Sequence, residues 1–306
     1  MVVSKLKRAF LLLSAGIAML PFLLYIDLLL RRPPRTPKHQ QLFRGVVYQR
    51  VPRSVPRPMV LHIVSVDLTA PGIDLLVTPG QPAADDREVG AQTTASFLET
   101  YGLQLAINGS FFKPFYSRTP FDYYPRSGDR VDAIGQAISS GTTYSPAEAG
   151  WSVLCLSADQ IARIAPVRCP MGTMQGVAGR DILLRHGKPV ALNNDKYQRS
   201  ALPRTAIAVD RKGKQLWLIV VDGRQPFYSE GITLAELTET ILNLGADAAL
   251  NLDGGGSTTL VVADGKRVRS RNAPIHTRIP MRQRPVANHV GIYARPISSR
   301  NNWELY

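Results

Sequence analysis

The rhythm of apolar and polar positions changes along the chain, and each rhythm predicts a different element. Residues 9–30 (AFLLLSAGIAMLPFLLYIDLLL) form a nearly unbroken apolar run. At 1.5 Å per residue it is long enough to cross a hydrocarbon core of about 30 Å. Lys5, Lys7 and Arg8 precede it, and Arg31-Arg32-Pro33-Pro34 follows in place of a small-x-small cleavage site. The run therefore predicts a transmembrane signal anchor that stays uncleaved. Both flanks are basic, so charge assigns no orientation. Residues 31–58, rich in Arg, Pro and Gln, predict a juxtamembrane linker that turns into a first strand near residues 45–50.

Beyond the linker, short β-branched runs alternate with turn residues. Met59–Asp67 predicts a strand, with residues 73–78 as its hairpin partner. Residues 93–101 have helical spacing. Residues 103–107 predict a strand that runs into Asn108-Gly109, and residues 113–150 predict a long loop, the kind that serves as a lid or binding loop. Residues 151–156 predict a strand, and 171–184 a loop with a short strand. Residues 205–210 and 215–222 predict a hairpin about the 211–214 turn. The clearest helix is 233–244, with Thr233 and Glu236 placed for a capping box and Gly245 at its end. Strands at 248–252, 259–263, 268–269 and 289–293 complete the pattern. Strands outnumber helices and no fixed period repeats, which predicts an α+β domain of mixed, mostly antiparallel sheets with a few packed helices.

Composition refines this picture at two points. The formal charge is +14, and residues 1–38 hold seven of the basic residues against Asp27 alone. The remainder is still basic, which suits an anionic partner. Zinc-finger spacing and RNA-binding aromatic signatures are absent from the sequence, which argues against nucleic acid. Cys155 and Cys169 are the only cysteines. They are too few for a zinc site, and both a disulfide and a pair of buried thiols stay open.

Candidate chemistry sits where apolar strands deliver polar side chains into glycine turns: Asn108-Gly109 and Asn251-Leu252-Asp253-Gly254-Gly255-Gly256-Ser257. Glycines let backbone N–H groups approach a ligand and form anion-binding nests. In a strand Asn251 and Asp253, two apart, point to the same face. Pro203-Arg204-Thr205 and Val221-Asp222-Gly223-Arg224 add guanidinium forks suited to phosphate. Arg284-Pro285-Val286-Ala287-Asn288-His289 is a further polar cluster, in which a lone histidine reads more naturally as structural. Neither a P-loop nor Gly-x-Gly-x-x-Gly is present in the sequence. Asn108-Gly109-Ser110 matches a glycosylation sequon, by chance given its place at a strand end.

These segments, with 231–237 and Val286-Ala287-Asn288, occur in the order seen in the phosphodiester glycosidase family, which the chain resembles over roughly residues 59–295. Ser110 stands where the family usually has a second glycine. The resemblance implies that the strand ends meet in one cleft of a single catalytic domain over 59–295, between a short basic segment (1–8), the anchor (9–30) and linker (31–58) on one side and a tail (296–306) on the other. It implies hydrolysis of the bond between a sugar's anomeric carbon and a phosphodiester, with Asp253 or Asp222 as nucleophile, base or stabiliser of an oxocarbenium-like transition state. Arg204 and Arg224 would hold the phosphodiester, Asn108 and Asn251 sugar hydroxyls, and Gly254, Gly255 and Gly256 would offer N–H groups. Gly109, Thr205, Ser257 and Asn288 would line the substrate. The expected partners are a sugar phosphodiester or phosphate-bearing glycan and, through the anchor, a membrane, with the domain outside the cytoplasm. A divalent cation near the acidic turns is compatible but has no ligand spacing to support it. The competing class is a non-catalytic envelope module that binds glycan or anionic polymer with the same Asn and Arg groups.

Overall fold

The computed structural model describes residues 19–81, 87–193, 195–265 and 267–297. Its spine is an eight-stranded antiparallel sheet in the order Lys38–Phe43, Val46–Arg53, Met59–Asp67, Gln215–Val221, Arg204–Val209, Ala248–Asn251, Asp181–Arg185 and Lys188–Pro189. Met59–Asp67 shows why both faces of this sheet are covered. Side chains alternate along a strand. Met59, Leu61 and Ile63 go to one apolar cluster, and Val64 and Val66 to another. The first cluster is closed by the helix Leu234–Leu242, through Leu234, Leu237 and Ile241. Thr233 and Glu236 form the capping box that starts this helix.

The second cluster is the central core. It is shared with two five-stranded antiparallel sheets. One runs Arg267–Ser270, Leu260–Asp264, Leu105–Asn108, His289–Tyr293, Asp74–Val77. The other runs Thr142–Ser145, Ala137–Ser139, Thr173–Gly179, Ser152–Ser157, Ala162–Ala165. The helix Thr94–Tyr101 covers the former with Phe97 and Leu98. The class is α+β.

Four expectations change. Asp74–Val77 does not pair with Met59–Asp67; it pairs with His289–Tyr293, because its buried side chains complete the other sheet. The 113–150 stretch is not a featureless loop: it carries short strands from Tyr116–Ser117 to Thr142–Ser145. Residues 171–184 give two strands, Thr173–Gly179 and the start of Asp181–Arg185. The linker is shorter than its composition suggests, since pairing begins at Lys38, and Arg50 fixes residue 36 by donating from Nε to the Thr36 carbonyl at 2.8 Å.

Residues 19–30 are helical. Residues 1–18, and with them the first part of the expected anchor, lie outside the described residues, as do residues 298–306 of the expected tail. Among the described residues no helix is long and apolar enough to cross a membrane.

Cys155 and Cys169 are joined in a disulfide. Closing a loop of 14 residues restricts the unfolded chain by about 3 kcal/mol. Replacing both cysteines by serine is therefore expected to lower the unfolding free energy by about 2–3 kcal/mol in a denaturant titration.

Candidate active site

A cavity of about 730 Å³ opens where the ends of several elements meet. Gln215–Val221 ends in Asp222-Gly223-Arg224, and Ala248–Asn251 ends in Leu252-Asp253 and a single 3₁₀ turn, Gly255–Ser257. Asp253, Gly254, Gly255 and Gly256 form one wall, with Arg224, Arg284 and Tyr197 beside them. Glycine lets the two guanidinium groups pack directly on the backbone here. A Cβ on Gly256 would lie 2.4 Å from Arg284 Nη2, and one on Gly255, at φ +62°, 3.1 Å from Arg224 Nη2. The glycine turn thus lets two guanidinium groups lie against the backbone beside one carboxylate.

Asp253 accepts a short hydrogen bond from Ser257 Oγ, and Ser257 in turn accepts from Arg284 Nη1 at 3.0 Å. Burial pushes the Asp253 carboxyl above the ordinary aspartate value; Arg284, the Ser257 hydroxyl, the Gly254 N–H and Arg224 oppose that shift without cancelling it. Burial also lowers Arg224, and it lowers Arg284 to about 10. Arg284 remains charged at neutral pH, and its guanidinium lies 4.4 Å from the centre of the Phe115 ring.

Several residues expected to contact substrate serve instead as joints behind the cavity. Asn108 is fully buried. Its Nδ2 donates to the Asp253 carbonyl at 2.6 Å, and its Oδ1 accepts from Thr205 Oγ1 at 2.9 Å and Thr259 N at 3.1 Å. Asn108 and Thr205 therefore position the Asp253 backbone rather than a sugar. The same burial excludes the sequon as a glycosylation site.

Arg204 is also fully buried. It donates to the carbonyls of Tyr197 (2.6 Å), Ser200 (3.1 Å) and Ile232 (3.3 Å), so it fastens the Tyr197 segment instead of clamping phosphate. Asn251 donates to Asp181 at 3.1 Å. The strand ends at this residue, and Asn251 is not among the residues lining the cavity, whereas Asp253 is. Asn288 accepts from the Ser110 N–H at 2.7 Å and donates to Tyr144, and Gly109 N–H donates to the Asn288 carbonyl; this pair locks the 108–110 turn.

Asp222 departs furthest from expectation. Its side chain is completely buried. Oδ1 accepts from Ala273 N (2.8 Å) and Asn272 Nδ2 (3.1 Å), and Oδ2 lies 3.0 Å from His62 Nε2. Tyr48 then meets the other His62 nitrogen at 2.9 Å. Asp222 is not among the residues lining the cavity, so the structure leaves Asp253 as the carboxylate that faces it. His289 is likewise structural: buried, held low at about 3 by desolvation, and stacked 4.7 Å from Phe97.

The sequence reading missed other parts of the wall. Arg284 was noticed only as part of a polar cluster. Thr277 and Arg278 are the φ > 0 corner of the hairpin that joins Ile275–His276 to Ile279–Pro280, at φ 52° and 64°. Arg224 also has positive φ, 57°. Non-glycine residues in that region carry local strain, which clusters at functional sites. No sequence signal marks such a strained corner, because the expected Gly or Asn is absent.

Among the described residues no three His, Cys, Asp or Glu side chains gather to hold a metal. Guanidinium groups flank Asp253, and a donor set of that kind does not fit a divalent cation.

One aspartate and two arginines thus line a pocket whose size suits a small ligand, with charge that favours an anionic one. Residues 101–293, more than half of the chain, match the phosphodiester glycosidase family model, and the chain belongs to that family. It is 49% identical over 59 residues to the Bos taurus N-acetylglucosamine-1-phosphodiester alpha-N-acetylglucosaminidase, and 49% identical over 67 residues to the Homo sapiens enzyme. Those stretches are 19% and 22% of this chain, and 11% and 12% of the relatives' own length. The fold is similar to the zebrafish catalytic domain of that enzyme, solved auto-inhibited by its pro-peptide (TM-score 0.56, 19% identity, 85% of this chain and 89% of that one). It is also similar to a hypothetical protein from Synechocystis (TM-score 0.55, 17% identity, 86% of this chain and 64% of that one).

Proposed function

We propose that the chain hydrolyses the bond between a sugar's anomeric carbon and a phosphodiester. The observation that carries this reading is that Asp253, Arg224 and Arg284 line one cavity, with both arginines acting on the Asp253 carboxyl. The guanidinium groups bind the phosphodiester anion and stabilise the charge that builds on it as it departs. Asp253, as a carboxylate, stabilises the positive charge at the anomeric carbon or activates the attacking water. In the balanced reaction, the water oxygen bonds to the anomeric carbon and the C1–O bond breaks. The phosphate monoester leaves with the electron pair, and one proton is released. A phosphate is already a good leaving group, so the arginine pair takes over much of the work of a general acid.

The pH profile tests this division of labour. Arg284 lowers the Asp253 pKa, so Arg284→Gln raises it further. The ionised carboxylate is then lost at a higher pH, and the acid limb of kcat/KM is expected to move upward in pH. An unmoved limb would detach Asp253 ionisation from the rate.

The disulfide, the basic charge and the apolar run at 9–30 support a membrane-anchored protein whose catalytic domain, with the anchor and linker before it, works outside the cytoplasm. A non-catalytic glycan-binding module is the weaker reading, because a binding surface gains nothing from a carboxylate held above its usual pKa between two cations.

A further inference from the structure

The helix over residues 19–30 does not fold away from the domain: Tyr25 lines the same cavity as Asp253. Around it, Met19, Leu20, Phe22, Leu23, Leu24 and Leu30 are all exposed. In the sequence the apolar run continues back to residue 9. A short, fixed path joins the helix to the domain. The Arg32 guanidinium lies 4.5 Å from the Tyr228 ring centre, and Tyr228 Oη donates to the Pro33 carbonyl at 2.9 Å. Arg35 Nη2 donates to the Arg53 carbonyl at 2.8 Å. Tyr228 belongs to the same loop as Arg224 of the cavity. In that loop Phe227 is 91% exposed at φ 64°, a costly way to display an aromatic ring to water. Phe115, on the cavity wall, is partly exposed, and Phe121 farther along its loop is 83% exposed. Arg31 and Arg32 follow the helix directly.

An exposed apolar helix, aromatic side chains and flanking arginines match the requirements of a bilayer interface. With no spacer between helix and cavity, the mouth sits at that interface. We propose that the aglycone is a membrane lipid: the substrate is a sugar 1-phosphodiester whose second ester oxygen carries a long hydrocarbon chain. The phosphate of such a lipid lies at headgroup depth, within reach of Arg224 and Arg284. The sugar enters the cavity towards Asp253, and the chain leaves past Tyr25 into the hydrocarbon. Hydrolysis then leaves a lipid phosphate monoester in the bilayer and frees the sugar. This rests on the proposed hydrolysis and adds the class of its leaving group.

The test uses the full chain in phosphatidylcholine–phosphatidylglycerol vesicles with paired methyl and hexadecyl 1-phosphodiesters of N-acetylglucosamine, glucose, galactose and mannose. At least one hexadecyl substrate is expected to be cleaved with a kcat/KM at least tenfold above its methyl partner. Phe121→Ser combined with Phe227→Asn, neither of which lines the cavity, should lower the hexadecyl rate at least fivefold and leave the methyl rate unchanged. Asn tolerates the positive φ at 227, so the loop is kept. Equal cleavage of both partners, or a double variant with no selective loss, overturns the lipid assignment alone. Failure to cleave any of the eight substrates removes the proposed hydrolysis, and the lipid assignment with it.

Discussion

Asp253→Asn is expected to lower kcat on a sugar 1-phosphodiester by on the order of 10³-fold while the protein stays folded. Asn keeps the shape of the side chain and can still accept from Ser257 and the Gly254 N–H, so the glycine turn has no reason to move. It exchanges one acceptor oxygen for an NH2 donor and loses the negative charge, which a positively charged anomeric carbon or an attacking water needs. The stability effect has a definite sign. The folded pKa of Asp253 lies above its unfolded value, so the ionised group destabilises the fold at neutral pH. The substitution should therefore leave Tm unchanged or raise it, the expected signature of a group kept for chemistry at some cost in stability. Wild-type kcat in this variant would take Asp253 out of the reaction.

Asp222→Ala is expected to do the opposite, with a loss of about 3–5 kcal/mol in unfolding free energy, read in denaturant or as a Tm lower by roughly 10 °C. The substitution removes the acceptor for Ala273 N and Asn272 Nδ2 and the partner of His62, all in the buried interior. Each orphaned donor keeps its desolvation cost without a bond. Asn272 also donates to the Thr258 carbonyl and accepts from Leu260 N, so the damage reaches the strand that follows the glycine turn. If the variant melted like the parent but lost activity on purified, folded protein, Asp222 would belong to the chemistry after all.

Elements whose side chains obey one period were readable in the sequence. Leu234–Leu242 has its capping box and Gln215–Val221 its hairpin turn, so both emerged with nearly correct bounds. The partner of Asp74–Val77 did not, because a short apolar strand satisfies any sheet with an open edge and local pattern does not choose between them. At the site, glycine turns marked where the chain approaches the cavity, but residue type did not say which polar groups face in. Asn108, Arg204 and Asp222 carry the chemistry that binding would need, and burial spends it on holding neighbouring backbone. Arg284 lies in a Pro-flanked stretch of no clear period, yet the space left by Gly256 brings it against the turn that follows Asp253.

The most direct measurement of the central claim is cleavage of a sugar 1-phosphodiester in H₂¹⁸O, followed by ³¹P NMR of the released phosphate monoester. Attack at the anomeric carbon predicts a phosphate without ¹⁸O and a free sugar that takes up the label. Label on phosphorus would show that the P–O bond breaks instead, and would contradict the assignment of Asp253, Arg224 and Arg284 to glycosidic hydrolysis.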